Sequence, residues 1–539
     1  MTLCGNNIHV FAGERDEPIA TPAGKPAGQP QEQTVGLGGT PQTPVTREIR
    51  PMPERYRNTL GKYRVVRSAA CAACGQCVKL CPEGVHSKPD GYAFTLRPQD
   101  HLCIGPECAQ SDHYCIDRCP QKALQLVRNP AIDALGDARW TGDLILSTWH
   151  MAATGKPPPA GLEHKTGNSG GGFDRMRIDV ADDAPAKVDP AKIDMSLDLN
   201  RRNDGRPQVH IDLPIYGGGM SFGSVSIHTI VGKARAATAW NTFTCTGEGG
   251  FPDRLKPYDD HVITQVATGL FGVREDTIQR VRIVEFKYAQ GAKPGLGGHL
   301  LGDKNTPAVA RMREAVTGTS LFSPFPFHSV YSVEDHKKHL DWIKETNPRA
   351  LVSVKVSTPT DVDMVAVGSY YAGAHIIHLD GSYGGTGAAP DIAKKNIAMP
   401  IEFAIPKVHK FLEAEGIRDK VTLMASGGIR TPSDVIKAIA LGADGVVIGT
   451  AEMVALGCVR CACCESGRGC PRGIASTDPE LMLQMNLDWA TQRLINLLGA
   501  WREEIVGVLS RAGLKSIRDL RGRRDLLYYL ADPPKEAKR

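Results

Sequence analysis

At 539 residues the chain is too long for one compact core; domains of ~100–200 residues imply three or four units, or one large barrel with appendages. Hydrophobic residues at 41% and charged residues at 23% suit a chain that mostly folds, and 64 Lys and Arg against 59 Asp and Glu leave only +5. So weak a positive balance, with aromatics at 6%, excludes a nucleic-acid partner, and no run reaches the ~20 apolar residues of a membrane span. Met1–Asn7 has neither the basic nor the apolar region of a secretory leader, so a cytoplasmic location is expected. Thiols stay reduced there, and 13 of the 15 Cys fall in two short windows, a pattern of metal ligation rather than of disulfides.

In chain order, residues 1–55 read as a disordered tail, because the stretch from Ala20 to Thr46 is rich in Pro, Gly, Gln and Thr and cannot bury a core. A cysteine-dense unit is expected at 56–130. Residues 131–205 read as a linker, with a helical piece around Trp140–Ala153 and a Pro/Gly-rich stretch from Gly155 to Gly172. From 206 to 478 short β-branched runs alternate with amphipathic segments. Strands are expected at Leu213–Tyr216, Ile283–Lys287, Leu351–Val356, His375–Leu379, Val421–Ala425 and Gly445–Ile448. Helices are expected at Ser332–Thr346, Thr360–Tyr371 and Pro432–Leu441. Such repeated units predict an α/β fold, a parallel sheet closed into a (β/α)8 TIM barrel. Residues 479–539 read as a helical region with a polar tail.

Cys71, Cys74, Cys77 and Cys81-Pro82 have the spacing of a bacterial ferredoxin loop, whose fourth Cys ligates the neighbouring cluster. Cys103, Cys108, Cys115 and Cys119-Pro120 repeat the ending with longer internal gaps. The crossing assigns Cys71, Cys74, Cys77 and Cys119 to one [4Fe-4S] cluster. Cys81, Cys103, Cys108 and Cys115 take the other, in a ferredoxin-like α+β domain that conducts electrons. A pair of zinc sites is the alternative, although zinc motifs rarely show paired Cys-Pro endings.

Residues 457–471 hold five more Cys, too many for a core. Their ending, Cys470-Pro471-Arg472-Gly473-Ile474-Ala475, resembles the Cys-Pro-x-Gly-x-Ala of the [3Fe-4S] loop in glutamate synthase large subunits. The resemblance places three ligands at Cys458, Cys464 and Cys470. Cys461 and Cys463 are additional and the last gap is one residue longer, so a [4Fe-4S] cluster is the alternative.

The resemblance continues through Gly219–Ser226, Thr246–Gly250, Lys287–Gly295, Asp380–Ala388 and Ala425–Ile429. It implies the FMN-binding synthase domain of that family. Each string follows a candidate strand and so lies on the C-terminal rim, where barrel active sites form. Ser426, Gly427 and Gly428 after the penultimate strand, with Gly449 and Thr450 after the last, have the placement of a barrel phosphate cradle. Lys287 ends a strand and needs an anionic partner if buried, as either a flavin-facing cation or a salt-bridged core residue. By resemblance Lys287 and Gln290 contact the flavin, while Met220, Ser221, Gly223 and Ser224 lie in the loop covering it. Glu248, Lys293 and Arg313 are implied to hold 2-oxoglutarate, and Lys287, Glu248 and Lys293 to form the catalytic centre. Arg313 lies in a helical segment beside Arg311, where a solvated face is the alternative. Two departures fall on the substrate side: His299 stands where the family has Gln, and Ser323-Pro324-Phe325-Pro326-Phe327-His328 replaces a Ser-Pro-Pro-Pro-His-His string.

Large bacterial members begin with a glutaminase whose nucleophile is an N-terminal Cys. Cys4 leads instead into the tail, so ammonia is expected from solution or from a separate glutaminase subunit. No Gly-x-Gly-x-x-Gly follows a strand, so ferredoxin or a reductase subunit is the expected electron donor. The resemblance thus implies an oligomeric oxidoreductase acting on CH–NH2 groups, which reduces the imine of 2-oxoglutarate to glutamate. The N-methylglutamate synthase large subunit shares this barrel and is one alternative. An electron-transfer subunit with a non-catalytic barrel is another.

Overall fold

The computed structural model describes residues 45–530, apart from 56–59, 111–113, 160–171, 325–326, 328, 386–388, 390–391, 394–395 and 466–467. The tail expected at 1–55 lies outside the described residues up to position 44. Contacts gather the described residues from Arg47 onward into one unit.

Strands β1 (Tyr63–Arg67) and β2 (Leu124–Arg128) pair antiparallel, with Tyr63 opposite Arg128 and Arg67 opposite Leu124. The eight Cys of the first window lie between them in sequence. Val65, Val85, Cys103 and Leu124 form the small core under this pair, with Cys77, Cys81, Cys115 and Cys119 packed against it.

The helix Gly142–Thr154 follows, capped by Thr141 and closed by Gly155 at φ 72°. Nine of its residues are buried, and it packs on the long helix Leu487–Ala512. The segment expected to be a linker therefore includes an integral wall of the barrel body.

Eight parallel strands make a near-closed barrel: β3 (Ile215–Gly217), β4 (Thr244–Cys245), β5 (Val262–Val266), β6 (Ile283–Lys287), β7 (Leu351–Ser357), β8 (Ile376–Asp380), β9 (Thr422–Ser426) and β10 (Gly445–Ile448). They run around the barrel in sequence order, β10 pairing with β3, and Gly217 N donates to Phe243 O (2.8 Å) across the β3–β4 seam. The runs are rich in Val and Ile and buried along their length, as expected for strands covered on both faces. Register aligns their ends: Lys287 pairs with Lys355, Ser357 with Asp380, and Asp380 with Ser426. One rim thus receives every loop that follows a strand.

Strands β4 and β5 and the helix Ile227–Ala239 complete the eightfold repeat where no element was expected. At the other end, the helical reading of 479–539 holds for Leu487–Ala512 but not for Leu527–Tyr529, a strand paired antiparallel with Met176–Ile178. Among the described residues, no helix is long and apolar enough to cross a membrane.

Candidate functional site

Inward-pointing side chains of β5 to β9 form a buried polar network that sequence reading missed. Glu285 accepts from Gln265 Nε2 (2.6 Å) and Ser353 Oγ (3.3 Å) and meets His378 Nδ1 at 2.9 Å. His378 Nε2 lies 2.8 Å from Ser426 Oγ, whose hydroxyl donates to Asp380 Oδ1 (2.6 Å). Asp380 Oδ2 accepts from Gly291 N (3.0 Å) and faces Lys355 Nζ at 3.3 Å. Burial pushes both carboxyls up, but His378 and then Lys355 hold Glu285 at about 2, and Lys355 and then His378 hold Asp380 at about 2. The available signal was a set of charged or amide residues at alternate positions of otherwise apolar strands.

Above this network, the rim brings together Lys287, Gln290, Glu248, Lys293, Arg313 and Ser221. Lys287 is buried at the end of β6; its Nζ donates to Gln290 Oε1 (2.7 Å) and pairs with Glu248 Oε1 (3.4 Å). Burial pushes the Glu248 carboxyl up, but Lys287, then Lys293 and Arg313, hold it below its ordinary value. Burial also lowers the proton affinity of Lys293, against the pull of Glu248. Gly298 packs so closely that a Cβ there would stand 1.8 Å from Glu248 Oε1.

Arg313, the last residue of the helix Pro307–Arg313, is buried rather than solvated, whereas Arg311 is exposed. Its Nη2 donates to Ser221 Oγ (2.9 Å) and Phe222 O (3.1 Å), and its buried Nε has no hydrogen-bond partner among the described residues. A Cβ on Gly249 (φ 114°) would come within 2.6 Å of Arg313 Cζ, so this left-handed glycine makes room for the guanidinium. Ser224 hydroxyl donates to Ser221 O (2.8 Å) and Gly223 N to Val225 O (3.3 Å), which folds the 220–225 loop back on itself.

The glycine loops meet on the same rim. Gly427 (φ 92°) presses on the Gly381 backbone, where a Cβ would stand 2.5 Å from Gly381 O. A Cβ on Gly449 would lie 3.2 Å from Met220 Cε, and one on Gly385 3.6 Å from Thr450 Oγ1, so the loops after β3, β8 and β10 converge.

On the side expected to face substrate, His299 pairs with Phe322 in a two-residue ladder, and burial with the neighbouring Lys293 lowers its pKa. Lys304 Nζ donates to Cys464 O and pairs with Glu465 Oε1 (3.2 Å), tying this loop to the second cysteine window. Phe327 stacks on the outward-facing Phe286, ring centroids 4.7 Å apart, outside the barrel bore. Phe325, Pro326 and His328 lie outside the described residues, as do Thr386, Gly387 and Ala388.

The first eight Cys gather around two small hollows. Cys71, Cys74, Cys77 and Cys119 line one; Cys81, Cys103, Cys108 and Cys115 line the other, together with His86. His86 Nε2 lies 3.4 Å from Cys115 Sγ, a contact the sequence gave no reason to expect. Burial, then the crowding of neighbouring thiols, pushes Cys115 up to about 12; burial carries Cys103 to about 11. In the second window, burial lifts Cys458 to about 11, with Cys464 and Cys470 close enough to add to the shift. Cys461 is exposed. Among the described residues, no three or more His, Cys, Asp or Glu converge as ligands of a single metal ion.

The chain is thus a near-closed parallel barrel with a cationic rim and thiol gatherings outside it, and the relatives it matches make it an oxidoreductase of the kind that acts on CH–NH2 groups. The profile described as the conserved region in glutamate synthase matches residues 166–515. The archaeal-type glutamate synthase (NADPH) of Thermotoga maritima is 38% identical over 480 residues, covering 85% of this chain and 92% of the relative. The archaeal glutamate synthase (NADPH) of Methanocaldococcus jannaschii is 36% identical over 498 residues, covering 86% and 94%. The glutamate synthase (NADPH) large chain of Azospirillum brasilense is 35% identical over 319 residues, 58% of this chain but 21% of that one. The chain belongs to the archaeal-type glutamate synthase family.

Proposed function

We propose that this chain reduces the imine formed from 2-oxoglutarate and an amine, giving glutamate. The observation that carries the reading is the rim cluster of Lys287, Gln290, Glu248, Lys293 and Arg313 in a chain of this family. FMN fits the residues present: glycines crowd the rim where loops after β3, β8, β9 and β10 meet, and Lys287 is a buried cation at a strand end. Iron–sulfur clusters fit the two four-thiol hollows and the Cys458, Cys464 and Cys470 group, because burial and thiol crowding oppose ionisation until cationic iron compensates. Residues 56–130 are read as a ferredoxin-like module with two [4Fe-4S] clusters, and the second window as a [3Fe-4S] or [4Fe-4S] site.

When bound, FMN supplies hydride transfer, and the clusters relay single electrons. Met220, Ser221, Gly223 and Ser224 form the loop over the flavin, and Ser426, Gly427, Gly428, Gly449 and Thr450 take its phosphate. Lys287 Nζ and Gln290 hold its charged edge. Arg313 and Lys293 offer two buried cations to a dicarboxylate, with the Arg313 Nε donor still open. Glu248 stays ionised and anchors both lysines, while Lys293, with its weakened hold on its proton, is suited to release one at Nζ. The relatives' names carry NADPH; this chain has no Gly-x-Gly-x-x-Gly fingerprint after a strand, so a reductase subunit or ferredoxin delivers the electrons.

Steady-state assay with 2-oxoglutarate, a dithionite-reduced dye and ammonia tests this. Glutamate should form; a flavin- and iron-loaded chain that forms none refutes the reading. His299 on the substrate side favours one second reading, an N-substituted product, which methylamine in place of ammonia would reveal.

A further inference from the structure

We propose that His86 donates a hydrogen bond to the Cys115 sulfur and thereby raises the reduction potential of the second [4Fe-4S] cluster, an inference that rests on the cluster reading above. His86 lines the second hollow, and its Nε2 lies 3.4 Å from Cys115 Sγ. The residue is only 3% exposed, and its buried Nδ1 has no hydrogen-bond partner among the described residues. Backbone bonds on either side fix its place: Gln99 N donates to Val85 O (2.8 Å), and Leu96 N donates to Ser87 O (2.9 Å). Val85 is itself part of the small core under β1 and β2. The ring is therefore held against the sulfur from both ends of its segment.

Ligation decides the direction of this bond. A free thiol can donate to Nε2, but a Cys bound to iron has lost its proton, and its sulfur only accepts. Nε2 is then the donor, whether the ring carries one proton or two. The other neutral tautomer would set a lone pair against the sulfur and leave the Nδ1 proton with nothing to receive it. One-electron reduction of the cluster, by the ferredoxin or reductase subunit proposed above, adds one negative charge that the ligating sulfurs share. An N–H donor gains strength as that charge grows, so it stabilises the reduced form more than the oxidised one. Apolar Val65, Val85, Ile116 and Leu126 line the same hollow and keep the local dielectric low, which enlarges the difference.

The test is a redox titration of the anaerobically purified, iron-loaded protein, followed by EPR. In His86→Leu one [4Fe-4S] midpoint should fall by ~59 mV, which is about a tenfold loss in the relative stability of the reduced form for one electron. The other midpoint and the iron content should stay as they are. His86→Gln, whose amide keeps an N–H at similar reach, should restore most of the difference. Unchanged midpoints in His86→Leu overturn the inference. A fall shared equally by both centres, or one that His86→Gln does not reverse, marks a packing role and overturns it too. If neither variant folds with its iron, pulsed EPR of the reduced wild-type protein carrying nitrogen-labelled histidine decides. A histidine nitrogen coupled to the cluster supports the bond, and its absence refutes it. Wild-type protein that takes up no iron would instead refute the cluster reading itself.

Discussion

Lys287 serves two partners at once, Gln290 and Glu248, and is the cation proposed to face the flavin edge. Replacing it in Lys287→Met keeps the stem and deletes the charge. The flavin midpoint potential should fall by ~59 mV per tenfold of lost stabilisation of the reduced form in a one-electron step. Spectroelectrochemical titration checks this, with iron content unchanged as the control; an unaltered potential in a folded variant removes Lys287 from the flavin. A second substitution, Gly249→Ala, places a methyl group against the Arg313 guanidinium and strains a left-handed backbone. It should raise the KM for 2-oxoglutarate about tenfold or more, if one bidentate carboxylate contact is lost. Lys287 was legible in sequence as a cation ending a strand, whereas Gln290 and Glu248 were singled out only by the resemblance of the strings that hold them. The burial of Arg313 was not. It depends on space left by Gly249 and on a turn at Glu314 (φ 55°), which only the folded chain brings together.

Among the elements, six barrel strands were legible as continuous Val/Ile runs, with bounds shifted by a residue or two. Strand β4 has only two residues, and β5 carries Thr264 and Gln265 at positions where a run would be apolar. The reason for Gln265 lies across the barrel, in Glu285. Glu285 and Asp380 have folded pKa values of about 2, below the ~4 of unfolded carboxyls. Their contribution to stability is therefore complete above about pH 4 and lost as pH falls towards 2. Thermal melts should show the midpoint dropping steeply between pH 4 and 2.5. Asp380→Asn should flatten that slope and lower the midpoint at pH 7, because it leaves Lys355 buried without its partner. An unchanged slope would place the acid sensitivity elsewhere.

For the whole molecule, cysteine spacing alone indicated two centres in one window and a third in the other, and the first eight thiols do collect in two groups of four. Two four-iron clusters and one of three or four irons give about 11–12 irons per chain, with one FMN. Anaerobic iron and flavin analysis should find these, and zinc in place of iron would refute the cluster reading. Cys470→Ser should remove only the ~3–4 irons of the third centre. What spacing could not indicate is how the two cysteine windows join the barrel. Gly136 N donates to Val459 O (3.2 Å) and Arg460 pairs with Asp137 (2.7 Å), so the segment after the first window clasps the second.

The helix Leu487–Ala512 also receives the earliest described residues: Arg50 donates to Gln492 Oε1 (2.9 Å), Gln492 Nε2 to Glu48 O (2.9 Å) and Arg493 to Met52 O (3.2 Å). Some 441–444 positions separate these partners. At ~5–20 residues per second, a ribosome exposes residues 48–52 roughly 20 s to a minute and a half before their partner exists. Through that interval the segment and the helix Gly142–Thr154 lack the surface that will cover them. Closure of this wall thus waits for the helix Leu487–Ala512 to emerge, and premature termination just short of residue 487 would leave most of the barrel made but its outer wall open to chaperones and proteases.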